Sequence, residues 1–263
     1  MIRVNNPNGA RALLPTIGSL FLILATLGGC ADPQPIIFTQ APPDEARARR
    51  LLASNALQEA IWEFDKLGQH DRADSLSLRL RHTLLGAPQN IERWQGSGIM
   101  TSYLLAFDNG TRGFFKVAGS DTSGPIRNEL AAFAIDSLLH INITPAGAYR
   151  TLNTTDGKHL EGVVKYFVEA ARTAESLGLK SPDKPDLLLF FDTVIANADR
   201  HTGNWMVRDD TKELIAIDHN RTFQFDQEWT WYRRMRTIRN PEGLGRSLRL
   251  FRTLPEAEFE RAR

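Results

Sequence analysis

The segment 196–218 constrains the fold of this chain more than any other part of its sequence. It contains Asp199, then Asn204 five residues later, and then Asp218 fourteen residues after that. The apolar runs 205–207 and 213–217 predict a short β-hairpin that ends at Asp218. A carboxylate on an apolar strand is costly unless a cation or hydrogen-bond donors accompany it. The spacing therefore predicts a loop and a hairpin that bring these polar side chains to one place.

A magnesium ion would satisfy such a carboxylate. Mg²⁺ takes an octahedral set of oxygen ligands, which Asn204 and Asp218 can contribute. For Asp199 the residues alone leave two interpretations open, a catalytic aspartate and a loop aspartate that caps a turn. The sequence has no Cys/His cluster that indicates zinc.

Composition describes an ordinary globular protein. The chain has 263 residues, of which 42% are hydrophobic and 24% are charged. This length suits one sizeable domain or two small ones. The formal net charge of +1 gives no general attraction to nucleic acid, so we expect no nucleic-acid partner.

The N-terminus has the pattern of a targeting segment. Arg3 and Arg11 precede an apolar run at 20–25, which is too short to span a bilayer. The run ends in Leu-Gly-Gly-Cys at 27–30, which resembles a bacterial lipobox. We therefore expect a signal peptide at 1–29 and lipidation of Cys30; the alternative is an incidental thiol after an ordinary signal peptide.

Lipidation of Cys30 would tether the chain to a membrane. Cys30 is the only cysteine of the sequence, so no internal disulfide can form. Resemblance to Gram-negative lipoproteins, with Ala31 after the cysteine, implies a location in the bacterial cell envelope, at the outer membrane and facing the periplasm.

The rest of the chain predicts an α+β organisation. The proline-rich stretch 30–43 predicts a tether, and 44–88 predicts a helical hairpin with helices within 51–67 and 71–85. A β-hairpin is predicted at 101–107 and 112–117 around Asn109-Gly110, followed by a helix at 125–139 and a strand pair at 148–152 and 161–167. In that helix we expect Leu130, Phe133, Ala134 and Leu138 on one apolar face. An apolar helix at about 184–196 leads into the loop of Asp199.

These motifs resemble those of the atypical kinases. Ala-Asp-Arg-His-Thr-Gly-Asn-Trp, followed by Ile-Ala-Ile-Asp-His-Asn-Arg-Thr-Phe, is similar to phosphatidylinositol 3- and 4-kinases, HipA-like bacterial kinases and the Golgi casein kinase family. The resemblance covers roughly residues 93–225. It implies a two-lobed, protein-kinase-like α+β fold, with an N-lobe at 89–168 and a reduced C-lobe at 169–263.

The resemblance also implies a role for each matching residue. Asp199 would be the catalytic aspartate, and Asn204 and Asp218 would be metal ligands. Lys116, at the end of a predicted strand, would contact the nucleotide phosphates with Glu129 as its partner. For this pair a solvated strand-end lysine and a surface glutamate is the alternative. Gly96 and Gly98 could bring backbone amides to the phosphates, although a simple turn is the commoner use of Gly-Ser-Gly.

Two functions therefore stand as hypotheses. The first is a magnesium-dependent phosphotransferase that uses ATP to phosphorylate an unknown hydroxyl acceptor. The second is a membrane-tethered pseudokinase that binds a ligand or partner, because a lipoprotein outside the cytoplasm meets little ATP.

The residues 166–168 could wall an adenine site or belong to a packed core strand.

Overall fold

A computed structural model describes residues 42–95, 100–119, 123–180 and 185–223. Cys30, Gly96 and Gly98 lie outside these ranges, so their predicted roles remain predictions. None of the helices within these ranges has the length and apolar character needed to cross a bilayer. The elements in chain order are α1 (Glu45–Ala53), α2 (Leu57–Lys66), α3 (His70–Leu85), β1 (Asn90–Arg93), β2 (Ser102–Ala106), β3 (Arg112–Val117), α4 (Ser123–Leu138), β4 (Gly147–Asn153), β5 (His159–Tyr166), β6 (Ala171–Thr173), α5 (Asp186–Val194), a 3₁₀ turn (Thr202–Asn204), β7 (Trp205–Arg208) and β8 (Leu214–Ala216).

The segment 44–88 forms three helices where the sequence pattern predicts two. Asp44 caps the start of helix α1, where its side chain accepts a hydrogen bond from the Ala46 amide at 2.9 Å. The chain then turns at Asn55, which has a φ of 60° and cannot continue a right-handed helix. The side-chain Nδ2 of Asn55 donates to the Asn109 carbonyl at 2.7 Å and so fixes the junction of α1 and α2 to the β2–β3 turn. Apolar residues continue at helical spacing on both sides of Asn55, so the sequence pattern does not reveal the break between α1 and α2.

Five antiparallel strands form the larger sheet, in the order β1-β2-β3-β5-β4. The predicted hairpin around Asn109-Gly110 and the predicted strand pair β4–β5 are both present. Strand β1 was not predicted. Gly162 on β5 allows close approach of β3, because a Cβ at this position would lie 2.1 Å from the Lys116 carbonyl oxygen.

The two faces of this sheet have different partners, because side chains alternate along each strand. Phe115 and Val164 point to one face and share a buried core with Phe64 and Leu80 of the N-terminal helices. The opposite face carries Lys116. Helix α4 is the element that brings Glu129 to this lysine.

The buried face of α4 differs from the predicted one. Leu130, Phe133, Ala134 and Leu138 are all only half-buried, whereas Ile126, Glu129, Ala132 and Ile135 are buried. The helix is apolar on more than one side, so periodicity alone does not identify its inner face. That inner face includes a charged residue.

A three-stranded sheet, in the order β6-β7-β8, carries the second part of the fold. Trp205 of this sheet packs in one buried cluster with Phe190 and Phe191 of α5. The predicted β7–β8 hairpin and the predicted helix α5 are both present, and Asp218 lies two residues beyond β8. Helices and antiparallel sheets confirm the predicted α+β class.

Asp136, on α4, makes the stability of the fold depend on pH. Its side chain is 1% exposed and accepts a hydrogen bond from the Ile143 amide at 3.1 Å. Burial raises the pKa of Asp136 to about 7, above the 3.8 of a free aspartate. The folded chain therefore holds a proton that the unfolded chain releases, and stability falls as pH rises from about 4 to about 7.

We expect Asp136→Asn to abolish the fall in stability that Asp136 causes between about pH 4 and about pH 7. The variant should match the parent near pH 4 and exceed it in free energy of unfolding by roughly 1 kcal/mol or more near pH 8, because the neutral amide keeps the oxygen acceptor without a buried charge. Urea unfolding at both pH values measures the difference. Parallel pH profiles of parent and variant would contradict the assignment.

Candidate active site

Lys116 lies at the centre of the candidate site. It is the penultimate residue of β3, and its Nζ lies 2.6 Å from Glu129 Oε1 on α4 and 2.9 Å from Asp218 Oδ1 beyond β8. Burial alone would lower the pKa of Lys116, but the two carboxylates outweigh burial and raise the pKa above its usual value. The lysine is therefore a fixed cation that joins the larger sheet, α4 and the β7–β8 hairpin.

Glu129 is a buried anion between two lysines. Its side chain is 1% exposed, and its Oε2 accepts a hydrogen bond from Lys165 Nζ at 2.9 Å. Burial would raise the pKa of Glu129, but Lys116 and Lys165 hold it well below the usual range. The alternative of a surface glutamate beside a solvated strand-end lysine is thereby excluded.

Lys165 on β5 is a member of this group that the sequence analysis missed. It is buried, and burial lowers its pKa despite the contact with Glu129. The sequence signal is a single lysine in the otherwise apolar run 163–168. Such a lysine needs a buried partner, but the strand pattern does not say which one.

His219 closes the inner side of the group. Its Nδ1 is 3.5 Å from Glu129 Oε2, at the limit of a hydrogen bond, and its ring meets Phe191 edge to face. Burial lowers the pKa of His219 to about 3, so the ring is neutral. The histidine fills space behind Glu129 without adding a charge.

Asn204 and Asp199 are held together by the loop between α5 and β7. The Asn204 Nδ2 donates to the Asp199 carbonyl at 2.9 Å, and the Asp199 amide donates to Asn197 Oδ1 at 3.0 Å. The amide oxygen of Asn204 is the atom with which this residue could bind a cation. Asn204 is buried, whereas the Asp199 side chain is 35% exposed.

Arg200 connects this loop to the hairpin that carries Asp218. It is buried, its Nε donates to Asp192 on α5 at 3.0 Å, and its Nη1 donates to the carbonyls of Asn204 and Ile217. The Ile217 amide in turn donates to the Asn204 carbonyl at 3.1 Å. Asn204 and Asp218 therefore lie on adjoining backbone. The sequence analysis left Arg200 without a role, although it lies inside the quoted motif.

The two aspartates are the accessible acids of the site. The Asp218 side chain is 35% exposed, like that of Asp199. Asp218 has a φ of 57°, an uncommon conformation for a residue other than glycine. Arg221 Nη1 lies 3.7 Å from Asp199 Oδ1, close enough for an exposed ion pair. Lys116, Glu129, Asn204 and Asp218 are thus linked by direct contacts or adjoining backbone, and Asp199 joins them through Asn204.

The residues 166–168 divide between the two interpretations given above. Tyr166 and Val168 belong to the core shared with the N-terminal helices, and the Tyr166 hydroxyl donates to Glu59 at 3.1 Å. Phe167 is half-buried and lies with Phe114 beside Trp94, at ring distances from Trp94 of 6.3 and 5.6 Å. Trp94 is 45% exposed. Of the three, only Phe167 lies outside that core, and the Arg112 guanidinium lies over its ring at 4.5 Å from the centroid.

Residues 153–240 match the family described as phosphatidylinositol 3- and 4-kinase. The matched stretch contains Asp199, Asn204 and Asp218, the residues that the loop and hairpin bring together. The chain has an atypical kinase-like fold. The match covers less than half of the chain and includes neither Lys116, which contacts Asp218, nor Glu129, which contacts Lys116.

Several solved structures are similar to this chain over most of its length. Hydra Fam20 with sugar is 15% identical, with a TM-score of 0.45, and the alignment covers 72% of this chain and 85% of that one. The Golgi casein kinase is 17% identical (TM-score 0.44; 72% of each chain), and its structure with Mn/ADP bound is also 17% identical (TM-score 0.43; 72% and 73%). No curated protein matches the sequence closely enough to count as a relative.

Proposed function

We propose that this kinase-like protein is a magnesium-dependent phosphotransferase that transfers phosphate from ATP to a hydroxyl acceptor. The observation that carries the proposal is the bridge from Lys116 to both Glu129 and Asp218 at 2.6 and 2.9 Å. Phosphoryl transfer depends mainly on positioning and on charge stabilisation. A fixed lysine that is 13% exposed, beside an accessible carboxylate, supports that chemistry, as does the kinase family matched at 153–240.

Each residue has a distinct part in the proposal. Lys116, oriented by Glu129, binds the phosphates of the nucleotide. Asp199 orients the acceptor hydroxyl, for which its side-chain exposure of 35% gives room. Asn204 and Asp218 hold the metal through an amide and a carboxylate oxygen, a donor set that suits Mg²⁺. The ion, when bound, would neutralise charge on the transferred phosphoryl group.

Nucleotide binding should depend on Asp218. We expect Asp218→Asn to weaken Mg²⁺-dependent ATP binding by about 10-fold or more, because one charged ligand of a small cation is lost. Calorimetric titration of ATP with and without Mg²⁺ measures the effect. Asp210→Asn, an accessible carboxylate on the neighbouring turn, is the matched control and should bind as the parent does. Equal ATP affinity of Asp218→Asn and parent would remove Asp218 from the proposed site.

A second candidate function is a tethered pseudokinase, which the lipobox-like segment at 27–30 favours. We propose that Cys30 anchors the chain in the bacterial cell envelope, where ATP is scarce. ATP binding without transfer to any acceptor would support the pseudokinase, and the mass of a modified acceptor would separate phosphate from a larger nucleotide adduct. Cell fractionation with mass analysis of Cys30 tests the anchor.

A further inference from the structure

A second group of metal-ligating side chains lies away from the kinase-like site. Asp65 at the end of α2, His70 at the start of α3 and His140 after α4 converge, with one possible ligand atom from each within 4.8 Å of the others. Both histidine Nδ1 atoms lie 2.7 Å from the same oxygen, Asp65 Oδ1. The two rings are 4.5 Å apart between centroids.

We propose that Asp65, His70 and His140 form a binding site for a zinc ion. Two imidazoles and one carboxylate are a typical protein ligand set for Zn²⁺, whose ligand distances are about 2.0–2.2 Å. Tetrahedral coordination at those distances separates ligand atoms by roughly 3.3 Å, so each 2.7 Å contact has to open by only about half an ångström. A bound ion would join α2 and α3 to the segment between α4 and β4.

The surroundings of Asp65 suit the role of a fixed ligand. Its side chain is 7% exposed, and its second oxygen, Oδ2, accepts a hydrogen bond from Asn142 Nδ2 at 2.6 Å. A hydrogen bond of this kind to the non-coordinating atom is how proteins orient a metal ligand. Hydrogen bonds from His140, Asn142 and His70 outweigh burial and bring the pKa of Asp65 to about 2, so it is ionised at neutral pH.

The two histidines give an ion access to this carboxylate. The His70 side chain is 41% exposed and that of His140 is 26% exposed, so both can shift without opening the core. Each imidazole faces Asp65 with Nδ1, and this nitrogen can bind an ion in the tautomer that carries the ring proton on Nε2. Two imidazoles and one carboxylate leave a fourth coordination position for water.

The proposal is tested by zinc titration of the full chain after chelator treatment. We expect one tight Zn²⁺ site, weakened by about 100-fold or more in His70→Gln and in His140→Gln, since loss of a ligand costs at least as much as loss of a supporting residue. His82→Gln, an exposed histidine on the same helix α3, and His159→Gln are the matched controls and should leave the affinity unchanged. Excess Mg²⁺ should not compete, because imidazole is a poor ligand for it.

Imidazole NMR of the parent chain gives a readout that does not depend on a variant folding. Zn²⁺ should shift the ring resonances of His70 and His140 and leave those of His82 and His159 in place. Absence of tight binding, retention of the parental Zn²⁺ affinity in both glutamine variants, or shifts confined to other histidines would each overturn the proposal. Because Asp218→Asn should bind Zn²⁺ as the parent does, failure here is distinct from failure of the phosphotransferase proposal.

Discussion

Asp199→Asn should reduce phosphoryl transfer by about 1,000-fold or more while ATP binding stays within about 2-fold of the parent, because an acid–base or orienting side chain acts on the acceptor rather than on the nucleotide. The structure favours a clean result. The Asp199 side chain is partly exposed, and Arg221 Nη1 lies 3.7 Å from its Oδ1. The bonds that fix the loop use the Asp199 backbone, so the substitution leaves them intact.

ATP binding is measured by calorimetric titration. Hydrolysis of γ-labelled ATP, and transfer of its phosphate to a panel of proteins, sugars and lipids, measure the reaction. Hydrolysis gives a readout that does not require the true acceptor. The control is Asp209→Asn. Asp209 lies on the β7–β8 turn, and its exposed carboxylate is paired with Arg172 of β6. If Asp199→Asn transfers phosphate at the parental rate, Asp199 is not the catalytic aspartate.

Glu129→Gln should be the most destabilising single change at the site, with a loss of about 3–5 kcal/mol in the free energy of unfolding. The loss arises because the buried Lys165 and the half-buried Lys116 then face a neutral amide. Lys116 keeps its contact with Asp218, whereas Lys165 loses its contact with the carboxylate of Glu129. ATP binding should also fall, since Lys116 loses the group that orients it.

A second substitution separates the two effects. Adding Lys165→Met to Glu129→Gln removes one unpaired buried charge and should recover part of the stability without restoring ATP binding. Urea unfolding and ATP titration on the same samples measure both quantities. Glu161→Gln, at an exposed position on β5, should change stability by no more than about 0.5 kcal/mol. If Glu129→Gln is about as stable as Glu161→Gln, Glu129 does not stabilise Lys116 and Lys165 in the folded chain.

Local patterns predicted much of this fold. The Asn109-Gly110 turn gave the β2–β3 hairpin, and the apolar runs on either side of 208–213 gave the β7–β8 hairpin, because turn chemistry and strand alternation are properties of short segments. The strands β1 and β6 were missed because each of these short segments contains one apolar residue, Ile91 or Ala171, whereas the equally short β7 and β8 are apolar runs. The break at Asn55 was missed because apolar residues continue at helical spacing on both sides of it.

The candidate site divides in the same way. Asp199, Asn204 and Asp218 are recognisable because their spacing is set within one loop and one hairpin. Lys165 and Arg200 were not assigned, because their roles depend on Glu129 and Asp192, and only packing of separate elements decides such pairs. The inner face of α4, and hence the direction of Glu129, is likewise a result of packing.

The loop, the hairpin and the α+β pattern follow from the sequence alone, since each depends on residues close together in the chain. Which charges are buried together depends on how separate elements pack. Lys116 meets Asp218 across 102 positions, and His140 meets Asp65 across 75. No periodicity or motif records such distances along the chain, because they are fixed by how the sheet, α4 and the N-terminal helices pack. Asp65, His70 and His140 likewise converge only through this packing, so their spacing in the sequence does not indicate zinc.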